Sequence, residues 1–157
     1  MGPTDDPSIF LASTHFDPRE EFPEPILERF LRPGDGWWPL SISPEMYAAG
    51  ANRLRASVKD IEHDPTDIEF LYYQASVTDE SAQSAFEAAQ RFLRGYYPWP
   101  LSVEEIRNRG AFGPPETTID HIQAYVDAGV ETFVTRFPTR DQHGRLRRYA
   151  EFIEAMG

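Results

Sequence analysis

The chain has 157 residues, no cysteine and a formal net charge of −11. Its length predicts one domain, and its 40% hydrophobic content is that of an ordinary globular protein. The acidic charge argues against nucleic acid and anionic membranes as partners, and the missing cysteines exclude disulfides and thiolate chemistry.

The N-terminus carries no recognisable targeting signal. Residues 1–6 are polar and acidic, with no basic region that leads into an apolar run, which argues against a signal peptide. No stretch of the sequence approaches the roughly 18 apolar residues of a membrane helix. We therefore expect a cytoplasmic protein.

The first part of the chain predicts two strands around a helix. Residues 8–12 (SIFLA) form a short apolar run after a proline and predict a buried strand. The polar, proline-rich residues 13–24 predict a loop, and residues 25–31 have helical spacing. A proline and glycine segment at 33–36 breaks this helix, and residues 37–40 (WWPL) predict a second strand.

A well-capped helix and a long strand follow. Ser43 can cap the helix, Pro44 suits its first turn, and Glu45 complements the helix dipole. Apolar residues then recur at helical spacing as far as Val58. Residues 68–77 (IEFLYYQASV) are β-branched and aromatic almost without a break, which predicts the strongest strand of the chain.

Two further helices are predicted around an aromatic loop. Residues 78–80 (TDE) are expected to cap a helix that runs to about Leu93. Residues 96–100 (YYPWP) predict the loop. Ser102 then begins a short helix that ends near Gly110.

The last part of the chain completes an alternation of strands and helices. Pro115 opens a helix that Gly129 closes as a C-terminal cap. Residues 131–137 predict a strand and residues 141–155 a final helix. With about four strands and at least as many helices, the pattern predicts a single α/β domain over residues 1–157, with parallel strands and crossover helices.

Three segments, taken in order, resemble the luciferase-like monooxygenase family of flavin- or deazaflavin-dependent barrels. Residues 34–39 (GDGWWP) resemble the family's DGW strand. Residues 113–116 (GPPE) together with 127–130 (DAGV) resemble its G-x-P-E … DAGV helix, and residues 131–136 resemble the final barrel strand. The resemblance extends over residues 8–154 but covers only about half of a family member.

This resemblance implies the C-terminal half of a (β/α)8 TIM barrel, with about four of the eight parallel strands that a full barrel of roughly 250 residues needs. It implies FMN or a reduced deazaflavin as cofactor and a small-molecule substrate. Activity would need the other half, supplied by a separately encoded N-terminal polypeptide or by a second copy in a homodimer. A non-catalytic flavin-binding or structural module, or a truncated remnant, remains an alternative.

Candidate site residues follow the strands, because barrel active sites lie at the carboxyl ends of strands. Ser13 and Thr14 stand where family members often carry a glycine pair; their hydroxyls can bond a phosphate but do not allow the close backbone approach of glycine. One indole of the Trp37 and Trp38 pair should face the barrel interior. The resemblance implies that Trp37 walls a flavin ring; the alternative is a core aromatic residue.

Two further candidates lie on later strands. Gln74 shares a strand face with Ser76 and is either a ligand contact or an inward polar group that water satisfies. Arg136 ends the last strand and suits a phosphate or carboxylate. The arginines that follow it are interpreted as a solvated helix face: Arg140, Arg145, Arg147 and Arg148.

The sequence offers no catalytic acid, base or metal ligand set. The four histidines show no metal spacing, and His121 is expected to be exposed. No Ser-His-Asp arrangement, P-loop or dinucleotide-binding glycine motif is recognisable. This suits an enzyme whose cofactor performs the chemistry while the protein binds and orients it.

Overall fold

The computed structural model describes residues 10–13, 24, 36–59, 68–139, 141–144, 146–147 and 149–150. The predicted helix at 25–31, the candidate Thr14 and the end of the last predicted helix lie outside these residues. Within the part that is described, residues 142–144, 146–147 and 149–150 are helical, as expected for that last helix.

Five parallel strands form one sheet in the described part of the chain. They are β1 (Phe10–Ser13), β2 (Gly36–Pro39), β3 (Glu69–Thr78), β4 (Gly110–Gly113) and β5 (Thr132–Arg136). The order is β1-β2-β3-β4, and β5 also pairs with β3. The longest strand is therefore the centre of the sheet.

Helices connect these strands. They are α1 (Pro44–Lys59), α2 (Ala82–Tyr96), α3 (Val103–Arg107) and α4 (Pro115–Asp127). None of the helices that the structure describes is both long and apolar enough to cross a membrane. The architecture is a parallel α/β sheet with crossover helices, as the sequence predicted.

Strand β3 holds the sheet together because three strands pair with it. β2 pairs only near its start, where Trp37 lies opposite Phe70. At its carboxyl half, Ala75 lies opposite both Gly110 of β4 and Arg136 of β5. The β-branched and aromatic run that predicted this strand therefore occupies the most extensively paired position of the sheet.

One face of the sheet, called the outer face below, is covered by α1 and α4. Trp37 and Tyr72 point to this face, where the Trp37 ring lies 5.0 Å from that of Tyr47 on α1. The Tyr72 ring stacks on Tyr125 of α4 at 3.8 Å. Such aromatic pairs contribute beyond their buried area, so this core fixes α1 and α4 against the sheet.

The opposite face, called the inner face, carries the residues that alternate with those of the outer face. Its carboxyl end is covered by α2, whose Ala85, Ala89 and Leu93 pack with Ala75 and Val77 of β3. The helix ring of a barrel lies outside the strands. Here α2 instead lies across the carboxyl end of the inner face and closes part of it.

Three predicted helix ends are confirmed. The Ser43 hydroxyl accepts a hydrogen bond from the Met46 N–H at 3.3 Å. Ser102 and Glu105 form a reciprocal capping box at the start of α3. Gly129 has φ +97°, the left-handed conformation that favours glycine after a helix.

Two predictions of elements are wrong. The sequence predicted no strand between the helices that begin at Ser102 and Pro115, because GAFG is short and lacks β-branched residues. The structure has strand β4 there, and pairing with β3 stabilises it. A side chain at Gly110 would meet Ala75 O at 1.7 Å, so this pairing requires glycine. Helix α2 is capped by Ser81 rather than residues 78–80 and extends to Tyr96.

Candidate functional site

Arg136 is surrounded by aromatic rings at the carboxyl end of the inner face. Its guanidinium carbon lies 3.7 Å from the ring centroid of Tyr96 and 5.7 Å from that of Phe92, both on α2. On the same face, the ring of Trp38 lies 6.0 Å from that of Tyr73. These five residues are called the inner-face cluster.

Tyr96 and Tyr73 stabilise the positive charge of the Arg136 guanidinium. Burial lowers the pKa of Arg136, but its hydrogen bonds with Tyr96 and Tyr73 outweigh burial and raise the pKa above its ordinary value. Burial also raises the pKa of the Tyr73 hydroxyl, so this group remains a protonated donor near neutral pH. The cluster is thus a fixed positive charge between neutral rings.

Two donors of the inner-face cluster have no partner. Arg136 Nε and Trp38 Nε1 are buried, and neither makes a hydrogen bond in the described structure. A buried donor without a partner costs about 1–3 kcal/mol. Both groups are therefore available to a ligand that brings acceptor atoms to this face.

A cavity of about 610 Å³ adjoins the inner-face cluster. This volume lies within the range of about 300–1,000 Å³ that is usual for small-molecule sites. Its walls come from β3, α2 and the residues after β5: Val77, Ala88, Arg91, Phe92, Gly95, Tyr96, Pro138 and Thr139. The cavity shares Phe92 and Tyr96 with the cluster and adds a second cation, Arg91.

The structure separates the candidates that the sequence proposed. Arg136 lies in the inner-face cluster. Trp37 is fully buried on the outer face beneath α1, where it is a core aromatic residue, and its neighbour Trp38 points to the inner face. Gln74 also points to the outer face, where its amide donates to Thr135 Oγ1 at 3.0 Å. Ser13 is the last residue of β1, opposite Pro39.

Sequence reasoning missed three members of the cluster, Tyr73, Phe92 and Tyr96, and it left open whether Trp37 or Trp38 faces the interior. Alternation along the strands could have grouped Trp38 with Tyr73, but nothing in the sequence indicates which of the two alternating sets faces the interior. Tyr96 was assigned to an aromatic loop, yet it ends α2. Its contact with Arg136 depends on the position of α2 over the inner face.

The prediction that His121 is exposed is wrong. Its Nε2 atom is buried without a hydrogen-bond partner, and its ring lies 4.8 Å from that of Tyr125. Burial lowers the pKa of His121 to about 4, so the imidazole is neutral at pH 7. Among the residues that the structure describes, no group of histidine and carboxylate side chains could hold a metal ion.

The chain was compared with known proteins. No family model and no curated protein matches the sequence. A solved F420-dependent secondary alcohol dehydrogenase, bound to an F420–acetone adduct, shares 14% identity with a TM-score of 0.72. That match covers 99% of this chain and 50% of the dehydrogenase.

Two further solved structures resemble the chain. The coenzyme F420-dependent tetrahydromethanopterin reductase of Methanopyrus kandleri matches 84% of this chain and 46% of its own, with 14% identity and a TM-score of 0.58. The long-chain alkane monooxygenase LadA matches 94% of this chain and 39% of its own, with 17% identity and a TM-score of 0.60.

These neighbours are members of the luciferase-like monooxygenase family, the family that the sequence resemblance indicated. The chain spans half the length of the dehydrogenase and less than half of the other two. Its fold is therefore one half of a (β/α)8 barrel. Within the inner-face cluster, Arg136 is the last residue of β5 and Trp38 lies near the end of β2. Barrel active sites are built at the carboxyl ends of the strands.

Proposed function

We propose that this chain supplies the C-terminal half of a flavin- or deazaflavin-dependent oxidoreductase and that the inner-face cluster holds the cofactor. One observation carries the proposal. Arg136 and Trp38 are half-buried, and each has a buried, unpartnered N–H donor on the inner face, beside a cavity of about 610 Å³.

The chemistry of the cluster fits such a cofactor. A flavin or deazaflavin combines a flat ring with an anionic phosphate. Arg136, with Arg91 at the cavity wall, suits the anionic part, because a guanidinium pairs with phosphate through two parallel hydrogen bonds. Trp38 offers a flat face for the ring. The bound cofactor would supply hydride or oxygen chemistry.

The protein's own part is binding, orientation and exclusion of water. Helix α2 covers the carboxyl end of the inner face and packs against Val77, so it shields one side of the site. No acid or base of this chain needs to take part. Two of the neighbouring structures are named for coenzyme F420, which supports a reduced deazaflavin; FMN remains the other candidate.

The other half of the barrel must cover what this half leaves open. Among the described strands only β3 pairs with β5, and Val134 on β5 is 37% exposed. An uncovered strand edge pairs readily with another chain. We propose that a separately encoded N-terminal half or a second copy of this chain covers the open edge of β5. The completed barrel would enclose a small-molecule substrate and would act in the cytoplasm.

Light scattering on the purified chain, with an FMN titration followed by fluorescence on the same sample, tests this proposal. A stable dimer that quenches flavin fluorescence at about micromolar concentration, a binding free energy of about −8 kcal/mol, supports a rebuilt barrel. A monomer or an aggregate that leaves the flavin signal unchanged contradicts it. A dimer that binds flavin without turnover would indicate the non-catalytic binding module.

A further inference from the structure

A second cavity, of about 260 Å³, lies beside β4 and away from the inner-face cluster. Three helices and β4 line it: Ala82, Gln83, Phe86, Arg107, Gly110, Ala111, Phe112, Thr117 and His121. Phe86 and Phe112 belong to the inner side of the sheet, whereas His121 packs on the outer side. The cavity, called the β4 crevice, therefore passes around the edge of the sheet.

One edge of β4 faces this crevice, and no strand of the described part of the chain pairs with that edge. The Ala75 N–H donates to Arg109 O at 2.7 Å, and the Asp79 N–H donates to Gly113 O at 3.1 Å. The backbone groups of Arg109 and Gly113 therefore point toward β3. Alternate residues of a strand direct their N–H and C=O groups to opposite edges. The backbone N–H and C=O groups of Gly110 and Phe112 therefore point into the crevice. Among the described strands, only β3 pairs with β4.

A cation stands at the mouth of the β4 crevice. The guanidinium carbon of Arg107 lies 4.8 Å from the ring centroid of Phe86, and the side chain is otherwise exposed. Stacking on a ring leaves the in-plane N–H groups of a guanidinium free to donate. The nearby Gln83 amide is already used, because it donates to Glu87 Oε1 at 2.6 Å.

The outer wall of the crevice adds a buried polar atom without a partner. His121 Nε2 is buried and makes no hydrogen bond in the described structure. Thr118, on the same helix, is fully buried, and its Oγ1 is unpartnered as well. Buried polar atoms normally have a partner, and those that lack one indicate a missing water or ligand.

We propose that the β4 crevice binds a small carboxylate that carries a flat apolar body. The Arg107 fork and the outward Phe112 N–H would bind the carboxylate, the rings of Phe86 and Phe112 would pack against the body, and His121 Nε2 would supply a further hydrogen bond. The volume lies just below the range of about 300–1,000 Å³ for drug-sized ligands, which favours a compact molecule. The site does not depend on the proposed cofactor site.

Calorimetric titration of the full chain with benzoate tests this proposal. We expect saturable binding that weakens about tenfold or more in Arg107→Gln, since a hydrogen bond to a charged group contributes about 1.5–3 kcal/mol. His121→Gln should weaken binding by a smaller factor. The matched control is Arg94→Gln, which removes an exposed arginine of α2 outside the crevice and should leave benzoate affinity unchanged.

Three results would overturn the proposal. One is the absence of saturable benzoate binding up to about 10 mM, beyond the range of a specific fragment site. Another is unchanged benzoate affinity in Arg107→Gln. The third is equal affinity for benzyl alcohol or inorganic phosphate, which lack the charge or the apolar body. Because Arg107 is exposed, its variant should fold, and a melting curve for each variant verifies this.

Discussion

Trp37 and Trp38 are adjacent in the chain, yet they occupy opposite faces of β2. Trp37 is fully buried between Tyr47 and Phe70. Trp38 is only partly buried and keeps an unpartnered indole N–H beside Tyr73. One residue therefore belongs to the core and the other to the candidate site, and the two roles can be separated by matched substitutions.

Trp37→Phe should lower the free energy of unfolding by about 1–3 kcal/mol, because it leaves a void in a packed core. Trp38→Phe should change stability by less than about 1 kcal/mol and should weaken flavin or deazaflavin binding. Urea denaturation and a fluorescence titration on both variants measure these effects. The assignment of faces is contradicted if Trp38→Phe is the more destabilising change.

His121 carries a pH dependence that can be tested by itself. Its pKa is about 4 in the folded protein, below the ordinary 6.5, because burial disfavours the charged form. As the pH falls from about 6.5 to 4, the unfolded chain binds the proton first, so stability falls by up to about 3 kcal/mol. Above pH 6.5 the imidazole is neutral in both the folded and the unfolded state, so His121 costs the protein no stability there.

Denaturant unfolding of the wild type and His121→Gln between pH 4 and 8 measures this contribution. Carboxylates titrate in both proteins, so the difference between the two curves isolates His121. The wild type should lose more stability than the variant as the pH falls below 6.5. Parallel curves would show that His121 is not buried as the structure has it.

Among the helices and strands, the sequence correctly predicted those ends that depend on residues close together in the chain. The helix starts at Ser43 and Ser102 and the glycine cap at Gly129 follow from hydrogen bonding and backbone conformation within a few residues. Strand β4 was missed because its four residues have little strand propensity. It exists through its pairing with Ala75–Thr78, about 35 residues earlier in the chain.

The close approach of β4 to β3 gives a test with a matched control. Gly110→Ala places a methyl group against the Ala75 carbonyl, so it should lower the free energy of unfolding by about 1–3 kcal/mol or more. Gly95→Ala lies in helix α2 with no atom within 4 Å of the new methyl. It should raise stability by about 0.5–1 kcal/mol.

Thermal and urea unfolding of the two glycine variants decide the outcome. A small effect of Gly110→Ala would mean that β4 does not approach β3 at this residue. A loss of stability in Gly95→Ala, comparable with that in Gly110→Ala, would contradict the open space around residue 95.

At the scale of the whole molecule, alternation of strands and helices and the order of three motifs were enough to predict half of a luciferase-like barrel. The residues that form the candidate site were named only in part. Arg136 follows from its place at a strand end, but its partners Phe92 and Tyr96 come from α2. The packing of α2 across the inner face depends on long-range contacts with Ala75 and Val77, which no local pattern encodes.

We propose that the inner face binds a flavin-like cofactor through Arg136. The most direct measurement is the dissociation constant of a reduced deazaflavin for the full chain, compared between the wild type, Arg136→Gln and the exposed control Arg94→Gln. Saturable binding that weakens about tenfold or more only in Arg136→Gln is expected, because a charge-assisted pair is lost. Equal affinity in all three proteins, or no binding by the wild type, would contradict the claim.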